Sequence, residues 1–222
     1  MPGADAPYLV LDLDGTLVDA SARNHAVYSA VCRGLGGQPL ALGEYWALKR
    51  SRAGWDDILV RSGLAPEVRN RFVDEFIARI EDPGVLTLDT VFPGTKPALD
   101  DLSATYRLVL ATLRRHRALL DEQLRTLGLG DRFAGIASRA AGSDDPAAEK
   151  AALIRDMLNG SGAAAVIGDT EVDVHAASLL GFTSIAVCSG MRDRAILEGA
   201  GATHIAGDIG DVGALLARVL PA

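Results

Sequence analysis

The stretch Tyr8-Leu-Val-Leu-Asp-Leu-Asp-Gly-Thr-Leu-Val-Asp19 places two aspartates, Asp12 and Asp14, at the end of an apolar run, with a glycine directly after them. Short apolar runs of this kind are typical of buried strands. The sequence predicts strands at 8–13, 107–112, 134–138, 163–167, 183–187 and 203–206. Segments of helical period separate most of these runs, which indicates βαβ units and a parallel sheet covered by helices on both faces.

Residues 20–88 break this alternation, because they contain three helix-like stretches and no convincing strand. Apolar residues at every fourth position, Phe72, Phe76 and Ile80, predict the apolar face of one of these helices. We therefore expect an α/β fold in two parts. A Rossmann-like parallel-sheet core comprises residues 1–18 and 89–222, and an inserted α-helical cap domain comprises residues 19–88.

Composition excludes several classes of protein. Hydrophobic residues make up 49% of the 222 residues, and no apolar run approaches the roughly 18 residues of a membrane span. Residues 1–7 contain no basic segment followed by a hydrophobic stretch, so we expect no secretory signal and a cytoplasmic location. Cys32 and Cys188 have no metal-ligand spacing, and the net charge of −7 argues against nucleic-acid binding. The oligomeric state is left open.

Carboxylates follow the predicted strands where ligands bind in a parallel sheet, beyond the carboxyl ends. Asp12 and Asp14 follow the first strand, Thr112 ends the second, and Asp169 and Asp173 follow the strand at 163–167. Crowded carboxylates repel one another, so they need a cation or a shifted pKa. Oxygen ligands without His or Cys favour a hard ion such as Mg²⁺.

Asp12-x-Asp14-Gly-Thr16, a hydroxyl residue ending a second strand, a later lysine, and Gly168-Asp169-x-x-x-Asp173 together resemble the haloacid dehalogenase-like (HAD) hydrolase superfamily. The order of these motifs matches over nearly the whole chain. The helical insertion resembles the cap of the phosphoglycolate phosphatase and β-phosphoglucomutase branch. The resemblance implies a HAD-like core and a Mg²⁺-dependent phosphatase acting on a small phosphorylated metabolite.

The resemblance also implies roles for individual residues. Asp12 would be the nucleophile that forms an aspartyl-phosphate, and Asp14 would be the general acid and base. The Asp12 carboxylate, the backbone carbonyl of Asp14 and Asp169 would hold Mg²⁺. Asp173 would complete the metal site by orienting a metal-bound water or the lysine.

Two further positions match phosphate-binding residues of the family. Thr112 matches the hydroxyl of the second motif, and Lys150 is our choice for the lysine of the third, with Arg139 as the alternative. The usual Lys-Pro pair is missing here. Arg114 and Arg115 follow Thr112 where the loop departs from the family pattern. We expect these arginines to be solvated, with a phosphate contact as the alternative reading.

The cap contains Lys49 and Arg52 in a stretch that resembles the substrate-contacting region of β-phosphoglucomutase-type caps. They are candidate substrate contacts, and a solvated amphipathic helix is the alternative. Within the superfamily that the motifs resemble, an aspartate at the position of Asp14 implies an oxygen leaving group and not dehalogenase or phosphonatase chemistry. A phosphomutase, a phospho-accepting signalling module and a non-catalytic relative are the alternatives to a phosphatase.

Overall fold

The computed structural model describes residues 3, 6–139 and 144–219. Its strands are β1 (Tyr8–Leu11), β2 (Val18–Asp19), β3 (Thr90–Val91), β4 (Arg107–Thr112), β5 (Gly135–Ser138), β6 (Ala163–Gly168), β7 (Thr183–Val187) and β8 (His204–Ala206). Its helices are α1 (Ser21–Gly34), α2 (Leu42–Arg50), α3 (Trp55–Arg61), α4 (Arg69–Arg79), α5 (Pro83–Leu86), α6 (Thr95–Leu102), α7 (Arg117–Leu127), α8 (Pro146–Leu158), α9 (Glu171–Leu180), α10 (Arg194–Gly199) and α11 (Ile209–Val219).

Six parallel strands form the central sheet, in the order β5-β4-β1-β6-β7-β8. Each of the six predicted runs overlaps one of these strands, and the predicted α/β fold is confirmed. Apolar side chains fill both faces of the sheet, as expected for parallel strands between helices. β4, the next strand of this sheet along the chain, pairs with β1 on one side, and β6 pairs with β1 on the other side. This reversal of strand order beside β1 is where a doubly wound sheet binds its ligand.

β1 is shorter than predicted, because the chain turns away at its carboxyl end. Asp12 still donates its backbone N–H to Ile167 at 2.9 Å, but Gly15 then adopts a φ of 82° and donates to Val18 at 2.7 Å. Such a positive φ favours glycine. The turn places the aspartates at the rim of the sheet.

Five helices lie between β2 and β3, where the sequence indicates three helix-like stretches. Short helices such as α5, with four residues, are too short to show a helical period. The five helices share an apolar cluster of their own, in which the rings of Tyr28 and Tyr45 stack with centroids 4.3 Å apart. β2 and β3 pair antiparallel where the chain enters and leaves this helical unit, which we refer to as the cap.

Within the described residues, no helix is long and apolar enough to cross a membrane. Residues 1, 2, 4 and 5, which belong to the segment inspected for a signal, lie outside the described residues. So does Ser143, the first residue of the stretch Ser143–Lys150 that stands where the family's Lys-Pro pair would be expected.

Candidate active site

Three buried carboxylates from two parts of the chain meet at the carboxyl ends of β1 and β6. Asp12 follows β1, Asp169 follows β6, and Asp173 lies in the first turn of α9. Each offers a carboxylate oxygen within 4.8 Å of the others. The structure thus brings together three of the four predicted metal residues by their side chains. The predicted role of the Asp14 backbone carbonyl stays a prediction.

Lys150, on α8, places its ammonium group between two of these carboxylates. Its Nζ lies 2.5 Å from Asp12 Oδ1 and also contacts Asp173 Oδ1. The two carboxylates outweigh the effect of burial and raise the pKa of Lys150 above its usual value. The second oxygen of Asp173 accepts hydrogen bonds from the backbone N–H and the hydroxyl of Thr170, at 3.1 and 2.8 Å. Asp173 therefore positions the lysine, because both of its oxygens already have partners.

With all three carboxylates ionised, one ammonium group facing them would leave a net charge of −2 in a buried place. Burial and the neighbouring carboxylates raise the pKa of Asp12 to about 7, despite Lys150. Burial also raises the pKa of Asp169, and Asp12 and Asp173 add to that rise. Asp169 Oδ1 is buried without a hydrogen-bond partner among the described residues. The carboxylate ligands, the uncompensated negative charge and the Asp169 oxygen without a partner all fit a hard divalent cation.

Glycines surround Asp169 because no larger residue fits. A Cβ added at Gly15 or at Gly190 would lie 2.0 Å from Asp169 Oδ2. The same oxygen accepts the backbone N–H of Met191 at 2.6 Å. The loops after β1 and β7 therefore close directly over this carboxylate and hold it in place.

Asp14 is not part of the cluster of three carboxylates and makes ion pairs with two arginines. Arg114 holds it with two hydrogen bonds, from Nε at 2.6 Å and from Nη2 at 2.7 Å, and Arg23 Nη2 adds a third at 2.7 Å. Burial alone would raise the pKa of Asp14, but the two guanidinium groups outweigh it and hold the pKa well below its usual range. Asp14 is therefore ionised in this arrangement, which is the form that a general base requires.

The expectation that Arg114 is solvated is wrong, because its side chain is only 5% exposed. Arg115 is half-buried and makes an ion pair with Glu81 at 3.4 Å. Sequence reasoning missed Arg23 and Asp89, which complete the network around Asp14. An arginine near the start of the first cap helix and an aspartate beside β3 are common in solvent-exposed segments. The local sequence therefore gives no signal for their role.

The other predicted cations lie elsewhere. Lys49 Nζ sits 4.4 Å from the centroid of the Trp55 ring, and burial with nearby Arg192 lowers the pKa of Lys49 to about 8. Arg52 makes an ion pair with Glu171 at 3.0 Å, and its side chain is 63% exposed. Arg139 bonds to Glu149 at 2.8 Å. Of the two candidates for the third motif, the structure therefore places Lys150 at the aspartates.

A cavity of about 260 Å³ opens onto the cluster between cap and core. Its lining includes Asp12, Asp14, Arg23, Thr112, Arg114 and Lys150. Neither Lys49 nor Arg52 is part of this lining. A larger cavity of about 500 Å³ lies at Tyr106–Leu108 and Asp131–Ala134, and none of the motif residues lines it. The smaller cavity is the candidate active site.

Comparison with known proteins agrees with this geometry. A family model described as haloacid dehalogenase-like hydrolase matches residues 8–181, which is most of the chain. The protein belongs to the haloacid dehalogenase-like hydrolase family, so the resemblance read from the motifs is confirmed.

Among curated proteins, a phosphoglycolate phosphatase of Cereibacter sphaeroides is 30% identical over 207 residues, covering 86% of this chain and 89% of that protein. A phosphoglycolate phosphatase of Synechococcus elongatus is 26% identical over 198 residues, covering 86% and 88%. Together with the family, these relatives identify the chain as a phosphatase of the branch that the cap predicted.

Solved structures share the fold. A haloacid dehalogenase-like family hydrolase from Streptococcus pneumoniae has a TM-score of 0.75 at 23% identity, and the match covers 95% of this chain and 98% of that one. A hydrolase from Pseudomonas syringae has a TM-score of 0.67 at 24% identity, with 96% and 99% covered. These two matches include the cap as well as the core, because they extend over nearly the whole chain.

Proposed function

We propose that the protein is a Mg²⁺-dependent phosphatase that hydrolyses a small phosphorylated metabolite through an aspartyl-phosphate on Asp12. The observation that carries this proposal is the position of Asp12. Its side chain lines the cavity, contacts Lys150 and belongs to the same buried carboxylate cluster as Asp169. A carboxylate so placed can reach a phosphorus atom while neighbouring cations offset the repulsion between two anions.

The reaction would proceed in two displacements at phosphorus. An oxygen of Asp12 forms a bond to phosphorus, the bond to the ester oxygen breaks, and the leaving oxygen takes a proton from Asp14. A water oxygen then bonds to phosphorus, its proton passes to Asp14, and inorganic phosphate and the Asp12 carboxylate are released. The contacts with Arg114 and Arg23 favour ionised Asp14, which can accept the proton of the water in the second step. The same contacts must loosen before Asp14 can carry the proton that it donates in the first step.

Asp12 and Asp169 would hold Mg²⁺, with the backbone carbonyl of Asp14. When bound, the ion would supply positive charge that offsets the charge of the phosphate oxygens. Lys150 and Thr112 would bind the phosphoryl group from the chain itself, because both are buried and both line the cavity. Asp173 would keep the lysine aligned.

The test is turnover of an aryl phosphate and of phosphoglycolate, the compound in the relatives' name, with and without Mg²⁺. Asp12→Asn should lower kcat by about a thousandfold or more, the scale of loss when a nucleophile is removed. Asp121→Asn is the matched control, because Asp121 is an exposed partner of Arg117 on α7. Undiminished turnover by Asp12→Asn would exclude the nucleophile assignment. Release of one inorganic phosphate per substrate separates hydrolysis from phosphomutase transfer.

A further inference from the structure

The loop that joins β7 to α10, residues 188–193, lies against the metal cluster. The Met191 N–H donates to Asp169 Oδ2 at 2.6 Å. The Ser189 hydroxyl donates to the carbonyl of Gly15, in the turn after β1, at 2.9 Å. The position of this loop, which we refer to as the β7–α10 loop, therefore decides where the Asp169 carboxylate is held.

The cap binds the β7–α10 loop at the end of α2. Arg50, the last residue of that helix, donates from Nη1 to the Gly190 carbonyl and from Nη2 to the Cys188 carbonyl, the latter at 3.0 Å. Its own carbonyl accepts the Asp193 N–H at 3.1 Å. One planar guanidinium group can reach two carbonyls in this way, whereas an ammonium group acts as a point charge. Arg50 is thus bound to the loop at three points, and all three partners are backbone groups.

Two further contacts fasten the end of α2 to the core. Arg192 donates from Nη1 to the Lys49 carbonyl at 2.7 Å, and Arg52 makes its ion pair with Glu171 on α9. Arg192 is in turn held by Glu171, at 2.7 and 3.1 Å. The contacts of Arg50 therefore belong to a connected junction between cap and core.

A single peptide group connects Arg50 with Asp169. The Gly190 carbonyl, which accepts from Arg50, and the Met191 N–H, which donates to Asp169, belong to the same planar unit. Its carbonyl and its N–H point in opposite directions, because the peptide bond is trans. Fixing the carbonyl on the cap side therefore fixes the direction of the N–H on the other side. A cation on the carbonyl also polarises the peptide group and strengthens its N–H as a donor.

We propose that Arg50 is a positioning residue that holds Asp169 for the metal ion through the Gly190–Met191 peptide group, so that seating of the cap and binding of Mg²⁺ favour each other. The Met191 N–H occupies Asp169 Oδ2. This leaves Oδ1, which is buried without a hydrogen-bond partner among the described residues, for the ion. Arg50 does not line the active-site cavity, so it acts through the peptide group and not by contacting a substrate. The part played by Mg²⁺ in this inference rests on the proposed function.

Hydrogen exchange of backbone amides, measured by NMR in chelator, tests the connection without any metal. Arg50→Gln should speed exchange of the Met191 amide by about fivefold or more, because that amide loses the alignment of its bond to Asp169. The Leu129 amide, which donates to Leu124 at 2.8 Å at the end of α7, is the internal reference and should keep its rate. An unchanged Met191 rate would overturn the inference. Equal acceleration of Met191 and Leu129 would also overturn it, because that result indicates general destabilisation.

Arg61→Gln is the matched control variant, because Arg61 is another arginine of the cap, half exposed and paired with Glu44 at 3.3 Å. It should leave the Met191 rate unchanged. Titration calorimetry should show Mg²⁺ binding about fivefold or more weaker in Arg50→Gln than in Arg61→Gln. Equal acceleration of Met191 by the two variants, or equal affinity for Mg²⁺, would contradict the role of Arg50.

The unaltered protein provides a second test that does not depend on any variant folding. Because coupling between two sites is reciprocal, saturating Mg²⁺ should slow exchange of the Asp193 amide, which donates to the Arg50 carbonyl, by a similar factor. Mg²⁺ binding that leaves the Asp193 rate unchanged would refute the coupling. The result for the proposed function is separate. If calorimetry detects no Mg²⁺ binding, the metal in the proposed function fails, and Met191 exchange in chelator still decides whether Arg50 positions Asp169.

Discussion

Asp12 should make the stability of the protein depend on pH in a way that Mg²⁺ abolishes. Burial raises the pKa of Asp12 from 3.8 to about 7 in the folded protein, so the folded state keeps a proton that the unfolded chain has lost. The free energy of unfolding therefore falls as pH rises between these two values, and the loss is complete above about pH 7. About three pKa units at about 1.4 kcal/mol each amount to roughly 4 kcal/mol.

Asp12→Asn isolates this contribution, because it removes the titrating group and keeps the shape of the side chain. Urea unfolding followed by circular dichroism, in chelator, should show the wild-type protein losing about 2 kcal/mol more than the variant between about pH 5.5 and about pH 8. Saturating Mg²⁺ should stabilise the wild-type protein more at the higher pH, because the ion binds the ionised carboxylate.

If the wild-type protein and Asp12→Asn lose stability in parallel over this range, Asp12 titrates at an ordinary pKa. The crowding of three carboxylates around one lysine would then not raise the pKa of the nucleophile. Equal stabilisation by Mg²⁺ at both pH values would count against Asp12 as a metal ligand.

Two further predictions concern the support of the cluster. Lys150→Met leaves two buried carboxylates without their cation and should lower the free energy of unfolding by about 3–5 kcal/mol. Urea unfolding in chelator measures this loss, and an unchanged unfolding midpoint would contradict the prediction. Gly190→Ala drives a Cβ to 2.0 Å from Asp169 Oδ2 and should weaken Mg²⁺ binding in titration calorimetry, at a stability cost of about 1–3 kcal/mol. Gly213→Ala is its control, because nothing lies within 4 Å of that Cβ, and unaltered Mg²⁺ binding by Gly190→Ala would reject the close approach.

Much of the fold could be predicted, because the strands are short apolar runs that are buried on both faces. β4 and β7 have the predicted bounds, 107–112 and 183–187. The cap was harder to predict. Its five helices include ones of four and seven residues, and so few residues carry little periodic signal. Tertiary packing around Tyr28 and Tyr45 supports these short helices where local pattern does not.

The candidate metal cluster could be predicted for a topological reason. In a parallel sheet, residues that directly follow different strands lie at one edge, and Asp12 and Asp169 meet there because β1 and β6 are neighbours in the sheet. The lysine was harder to assign, since the choice between Lys150 and Arg139 depends on which one faces the aspartates. Arg139 instead lies beside Glu149 on α8. Tertiary packing decides which of these two side chains faces the aspartates.

The α/β class, the order of the strands along the chain and the aspartates at the strand ends could be predicted, because they follow from local periodicity and from a rule of parallel sheets. The surroundings of Asp14 depend instead on tertiary packing. Arg114 is 100 residues away in the chain, and Arg23 comes from the cap. No spacing in the sequence relates these residues, since cap and core meet through long-range packing. That packing places the predicted general acid and base between two arginines, which hold it ionised in this arrangement.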